Sequence, residues 1–231
     1  MKRYVAEAIG TYGLVLFGTG AVVVNGLSDG AVGLVGVAMT FGLVVMAMIY
    51  AFGDLSGAHI NPAVTLGAFV AKRFPAKDVF PYIVAQCLGA LCASATLKAM
   101  FPEVTNFGVT VPYYGVFQGF LFEVILTFFL VLVILGVTAA GKAEVVLAGV
   151  AIGGVVAFEV FVGGPITEAS MNPARSLGPA IISGQPQHLW LYFLAPSIGG
   201  VLAALVNNYL RDEHVADPAD TPVEGTTEID S

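Results

Sequence analysis

The chain has 231 residues, 57% of them hydrophobic and only 11% charged, with a mean hydropathy of +0.87. Soluble domains carry about 25% charged residues, and the apolar residues here run too long for buried strands. That excludes an ordinary water-soluble domain and predicts an all-α bundle of membrane helices. The net charge of −7 belongs to the last twenty residues, which hold seven of the sixteen acids (Asp212, Glu213, Asp217, Asp220, Glu224, Glu228 and Asp230). The remainder balances nine acids against nine Lys and Arg, so the acidity marks a tail and implies no nucleic-acid partner.

A hydrocarbon core of about 30 Å needs about 20 helical residues. The first run that long is Val5–Val24, after Lys2 and Arg3. It resembles a secretory signal, but it is long enough to span and Asn25-Gly26 is a poor cleavage site, so a retained helix is predicted. Val32–Phe52 follows, then a short apolar stretch, Asn61–Val70. Val79–Met100 is the third span; its Cys87 and Cys92 read as helix packing, since no His or acid stands near enough for a metal site. Val116–Thr138 and Val145–Gly163 come next, then a second short stretch, Asn172–Ile182, and the last span, Leu189–Leu210. Each short stretch is about 15 Å long as helix, so only two meeting end to end would cross once. Beyond Arg211 the chain is polar and acidic and lacks the apolar residues to fold. The expected organisation is one membrane domain over residues 1–211, in halves of about 1–105 and 115–211, and a disordered tail over 212–231.

Lys2, Arg3, Lys72, Arg73, Lys77, Lys142 and Arg211 fall on one side of the bundle, against Lys98 and Arg175 on the other. By the positive-inside rule both termini are cytoplasmic. The halves resemble each other: Glu7 in AEAIGTYGLVLFG answers Glu123 in FEVILTFFLVLVILG, AHINPAVTLG answers ASMNPARSLG, and AQCLGAL answers APSIGGV, at offsets of 116, 111 and 110 residues. Three spans per half is an odd number, so the second copy enters from the opposite face, an inverted repeat. Gly33 with Gly36, Gly115 with Gly119, Gly149 with Gly153, and Gly199 with Gly200 are read as close-packing positions.

Asn61-Pro62-Ala63 and Asn172-Pro173-Ala174 each open a short helix. Asn is a favoured N-cap and Pro suits the first helical position. With its oxygen engaged in the cap, each Asn presents amide N–H donors. A helix N-terminus carries about half a positive charge, and inversion brings two of them together at the midplane. Water there would give its oxygen to both Asn and turn its protons away on either side, and a cation would meet a barrier. The carbonyls of Gly57, Ala58 and His59, and of Glu168, Ala169 and Ser170, are the expected acceptors along the path. Two such motifs at matched places in an inverted repeat form a specific signal.

The stretches SGAHINPAVTLG and SMNPARSLGPA resemble the two signature loops of the aquaporin, or major intrinsic protein, family over about residues 3–210. The resemblance implies a right-handed bundle of six transmembrane helices plus two re-entrant half-helices. It also implies a multi-pass protein of the cell (inner) membrane, a homotetramer, and passage of water and small neutral solutes without a cofactor. In the family the Arg after the second motif, here Arg175, belongs to a selectivity filter near the outer mouth. Register places Phe41, Val160 and Ala169 with it. Strict water channels usually have His where Val160 stands. Glycerol facilitators usually have Trp at the Phe41 position, an aromatic at Ala169 and Asp at Ser176. The chain fits neither subtype and looks most like archaeal aquaporins. A wider, less polar filter follows, open to water and also to glycerol or gases.

Intramembrane acids are functional by default. The symmetry of Glu7 and Glu123 matches the family's support of the irregular loops, with Thr11 and Thr127 on the same faces. His59 is expected beside the inner pore. Glu159 has three candidate settings: an outer vestibule, a neighbouring subunit or loop backbone. A secondary transporter would need a coupling-ion site at the midplane, where this chain has neutral Asn. An enzyme would need a nucleophile and base or a metal cluster, and the three His are isolated from each other and from Cys.

Overall fold

The computed structural model describes residues 1–139 and 142–212; the expected tail beyond 212 lies outside them. In the described residues the chain forms eight helices: α1 (Lys2–Leu27), α2 (Gly33–Ser56), α3 (Pro62–Val70), α4 (Ala76–Met100), α5 (Val116–Val137), α6 (Lys142–Thr167), α7 (Pro173–Ile182) and α8 (Leu189–Asp212). Six are long and apolar enough to cross a membrane. Several run past the apolar segments at their ends, because Lys2 or Arg211 can stay helical in the interfacial zone, where the side chain reaches water.

The two halves are built alike. α1 packs on α4 and α5 on α8, while α2 packs on α6 across the halves. The short α3 lies against α8, and α7 against α4, so each half-helix is held by the other half and by its own. Close approach is bought by small residues where backbones meet: a Cβ on Gly42 would stand 2.5 Å from the Gly153 carbonyl. Gly149, Gly153, Gly199 and Gly200 also face neighbouring elements at short range. Gly33 and Gly115 do not belong with them. Gly33 opens α2 at φ +65° and Gly115 caps α5 at φ +114°, so these glycines serve the turns into the helices and not helix packing.

Exposed Leu, Val, Ile and Phe side chains cover the perimeter, as expected of a lipid-facing surface. Cys92 is exposed on it, while Cys87 is half-buried and packs on the cluster of Val15, Ala90, Ala93 and Ala174.

Candidate functional site

The centre of the molecule is built on two irregular loops that precede α3 and α7. In the first, Gly57, Ala58 and Ile60 take positive φ (86°, 45° and 43°); in the second, Glu168, Ala169 and Met171 do so (63°, 42° and 54°). A non-glycine residue in the left-handed region is uncommon, and each such residue costs on the order of 1–3 kcal/mol. Buried acceptors hold both loops in this shape. Glu7, fully buried, accepts from Ser56 Oγ (2.7 Å), His59 N (2.9 Å), Ile60 N (2.7 Å) and Gln86 Nε2 (2.8 Å). Glu123, also fully buried, accepts from Thr167 Oγ1 (2.7 Å), Ser170 N (2.8 Å) and Met171 N (2.7 Å). Tyr82 Oη donates to the Ser56 carbonyl at 2.8 Å, and Tyr192 Oη to that of Thr167 at 2.9 Å. Gln86 has no such counterpart, since Pro196 stands at the matching place. It clamps Glu7 to Thr65 Oγ1 (3.0 Å).

Asn61 and Asn172 cap the half-helices. Asn61 Oδ1 accepts from Ala63 N at 2.8 Å; Asn172 Oδ1 accepts from Ala174 N at 3.0 Å and Arg175 N at 3.2 Å. Each amide also reaches across: Asn61 Nδ2 donates to the Met171 carbonyl (2.8 Å) and Asn172 Nδ2 to the Ile60 carbonyl (2.9 Å). One of each amide's two hydrogens thus ties the loops together, a pairing that sequence reasoning did not find. Pro62, Ala63, Pro173 and Ala174 are buried at this junction.

Two cavities lie along the centre, and the larger runs past the junction, since both Asn61 and Asn172 line it. The larger, about 980 Å³, is lined by Gly57, Ala58, His59, Asn61, Ala169, Ser170, Met171 and Asn172, by apolar residues such as Val156, and at one end by Asp54, Arg73 and Thr138. The smaller, about 290 Å³, is lined by Asn25, Tyr113, Val160, Gly164 and Glu168 among others. Phe41 and Arg175 are the two residues that line both. The four residues grouped by register therefore surround one place, Val160 on one side of it and Ala169 on the other. The Arg175 guanidinium lies 5.2 Å from the Phe41 ring centroid.

An irregular segment, residues 101–115, fixes that arginine. Asn106 Oδ1 accepts from Gly108 N and Val109 N (both 2.9 Å), turning the chain so that the Gly108 carbonyl accepts from Arg175 Nη1 at 2.5 Å. Gly108 sits at φ +78°, and a Cβ there would stand 3.0 Å from Thr19. Ser176 joins Thr110 Oγ1 (2.9 Å) and Ser170 Oγ (2.5 Å) in a buried hydroxyl chain. Glu168 meets the same segment: Tyr113 Oη donates to its carboxylate at 2.5 Å, and this bond, with partial burial behind it, pushes the Tyr113 phenol up to about 12. The Asn-x-Gly turn was visible in the sequence; that it delivers a carbonyl to Arg175 was not.

His59 Nδ1 lies 3.1 Å from Thr65 Oγ1, and its ring packs against Phe74 and Tyr82, which also touch each other. Glu159 takes none of its three expected settings. It is 2% exposed, lines neither cavity, and neither carboxylate oxygen has a hydrogen-bond partner among the described residues.

Two half-helices capped by Asn, meeting tip to tip inside a six-span bundle and lining one cavity together, define a polytopic membrane protein of the channel type. The model of the major intrinsic protein family matches residues 1–207, and the chain belongs to that family. It is 44% identical to Nodulin-26 of Glycine max over 91% of this chain and 78% of that protein. It is 43% identical to Aquaporin NIP1-1 of Zea mays, over 91% and 75%. The solved aquaglyceroporin of Plasmodium falciparum shares the fold at a TM-score of 0.79, with 24% identity, 93% of this chain and 98% of that one. The expected likeness to archaeal aquaporins is not supported, because these relatives are plant proteins of the nodulin-26 kind. The four filter positions taken alone misdirected that reading.

Proposed function

We propose that the chain is a passive channel for water that also admits glycerol and small neutral gases and turns back protons and ions. The observation that carries this reading is the pair of abutting Asn-capped helix tips lining one cavity that meets a second at Phe41 and Arg175. Asn61 and Asn172 each keep one amide hydrogen for a passing oxygen, and two positive helix ends oppose a cation. Loop carbonyls from Gly57, Ala58, His59, Glu168 and Ser170 accept from the solute along the way. At the filter, Arg175 donates and repels cations, while Phe41, Val160 and Ala169 form an apolar wall. That wall favours a solute with hydroxyls on one edge and carbon on the other, so glycerol as the main cargo is the second reading.

The basic residues at the ends of α1, α3 and α8 support cytoplasmic termini in a multi-pass protein of the cell membrane, and family membership supports a homotetramer. Stopped-flow light scattering on proteoliposomes tests the function. Water flux should rise above bare lipid, glycerol should enter, and an enclosed proton-sensitive dye should stay silent. Proton entry driven with solute would point to a transporter, and glycerol flux equal to bare lipid would remove the wider filter.

A further inference from the structure

An anion entering the filter would be drawn by the same parts that turn back a cation. Arg175 carries a full positive charge, and the tip of α7 beside it about half of one. Arg175 has no ionic partner among the described residues, where the one ion pair is Arg3–Asp78. Its Nη1 is held by a neutral carbonyl, that of Gly108, and its buried Nε has no hydrogen-bond partner among those residues. Glu7 and Glu123 are engaged by loop donors and line neither cavity. The smaller cavity, outer on the topology above, has two charged residues in its wall among the described residues, Arg175 and Glu168.

Glu168 stands there against a conformational cost. Its φ is +63°, in the region that favours glycine, and the matching place in the first loop is Gly57 at φ +86°. A side chain held against such strain points to a function for it. Tyr113 Oη donates to its carboxylate at 2.5 Å, and both residues line the cavity, so the bond fixes the charge at that wall. Glu168 follows the C-terminus of α6, whose Gly164 and Pro165 line the same cavity, and the negative end of that helix adds to its sign. We propose that the Glu168 carboxylate is the anion barrier of the outer mouth, cancelling the pull of Arg175 and the α7 tip so that anions are turned back as cations are. The barrier rests on the channel reading above and supplies the half of charge exclusion that positive helix tips and an arginine leave open. At about 290 Å³ the cavity is roughly 8 Å across, and a unit charge that far away changes an ion's population roughly 2-fold at the dielectric of water and roughly 30-fold at an effective value of about 20.

The test measures bromide entry into proteoliposomes of the full chain at low ionic strength, with the potential clamped by potassium and valinomycin and a bromide-quenched fluorophore enclosed. Glu168→Gln and Glu168→Gly should each raise entry at least about twofold over the parent. Glycine is free of the backbone strain, so misfolding does not account for its leak. Glu168→Asp and Tyr113→Phe keep a carboxylate and should hold bromide entry at the parent's level, with an enclosed proton-sensitive dye silent throughout. A second measurement needs no conduction. With Cys87→Ala, Cys92→Ala and Leu34→Cys, the last in the cavity wall, the rate ratio of a cationic to an anionic methanethiosulfonate should fall at least about fourfold on adding Glu168→Gln, twofold for each sign. Bromide entry unchanged in both Glu168 variants, or an unchanged rate ratio, overturns the barrier. So does an equal leak in Tyr113→Phe, which would leave Glu168 only a brace for the mouth, and so does proton entry alongside bromide, the mark of a general breach. If the parent passes no water the channel reading fails, while the rate ratio still decides whether Glu168 sets the charge of the mouth.

Discussion

Replacing Glu7 by alanine strands the backbone it holds. Four donors point at this carboxylate, but two have other partners: Ser56 Oγ also lies 3.4 Å from the Phe52 carbonyl, and Gln86 Nε2 keeps Thr65 at 3.0 Å. The His59 and Ile60 N–H groups have none, and each unmet buried donor costs about 1–3 kcal/mol. The expected loss is therefore roughly 2–6 kcal/mol, a large share of the 5–15 kcal/mol or so that typically holds a fold together. Glu7→Gln keeps one acceptor oxygen and sets an amide against the other N–H, so its cost is about half, roughly 1–3 kcal/mol. The damage propagates, because the Ile60 carbonyl is the acceptor for Asn172 Nδ2. Water permeability should fall in the same order, alanine below glutamine below parent. Thermal unfolding in detergent followed by far-UV circular dichroism, with osmotic permeability alongside, measures both. Alanine no worse than glutamine, or both within about 0.5 kcal/mol of the parent, the range of neutral surface changes, would refute the anchoring argument.

Gly42→Ala sets a methyl 2.5 Å from the Gly153 carbonyl and 2.8 Å from Ala157 Cβ, so α2 and α6 must separate at a cost of about 1–3 kcal/mol. Gly149→Ala meets ring atoms of Tyr50 first, not a backbone carbonyl as at Gly42, and should cost less in the same unfolding assay. Val160→His places a polar ring opposite Ala169 and should cut glycerol uptake several-fold while sparing water, read by swelling in the two solutes. The Tyr113 phenol, raised to about 12 by its bond to Glu168, should be among the last tyrosines to ionise in an ultraviolet titration, and Tyr113→Phe should take one tyrosine out of that late step. Its raised value in the folded protein means the bond supports the fold below about pH 10, the ordinary tyrosine range, and is lost as pH rises through 12.

The six spans, the two half-helices and the matching of Glu7 with Glu123 were legible because each rests on a strong local signal. Apolar length, an Asn-Pro pair and a charge where charges are costly can all be read without knowing what lies opposite. The cross-bonds from Asn61 to Met171 and from Asn172 to Ile60 were not legible, since they join backbone atoms that any residue would supply. Gly108 was missed for the same reason: its carbonyl matters, and its side chain, the part a sequence displays, is absent. Glu159 shows the opposite limit. Its type and depth drew attention, yet neither predicts a membrane acid with no partner among the described residues.

The two halves share a scaffold but not a filter, and the physical reason lies in what surrounds each loop. Both loops have the same left-handed backbone positions and a buried Glu, so the central junction is built alike on its two sides. Only the second loop is followed by an arginine, and only that arginine has an irregular segment, residues 101–115, folded over it to hold the guanidinium by the Gly108 carbonyl and to brace Glu168 through Tyr113. In the first half the residue after Ala63 is Val64, and a clamp from Gln86 takes the place of a filter. On the function proposed above, selection by size and polarity falls to one mouth, while exclusion of charge is shared with the midplane. A change at Val160 or Ala169 should alter which neutral solutes pass and leave proton exclusion intact, whereas a change at Asn61 or Asn172 should do the reverse.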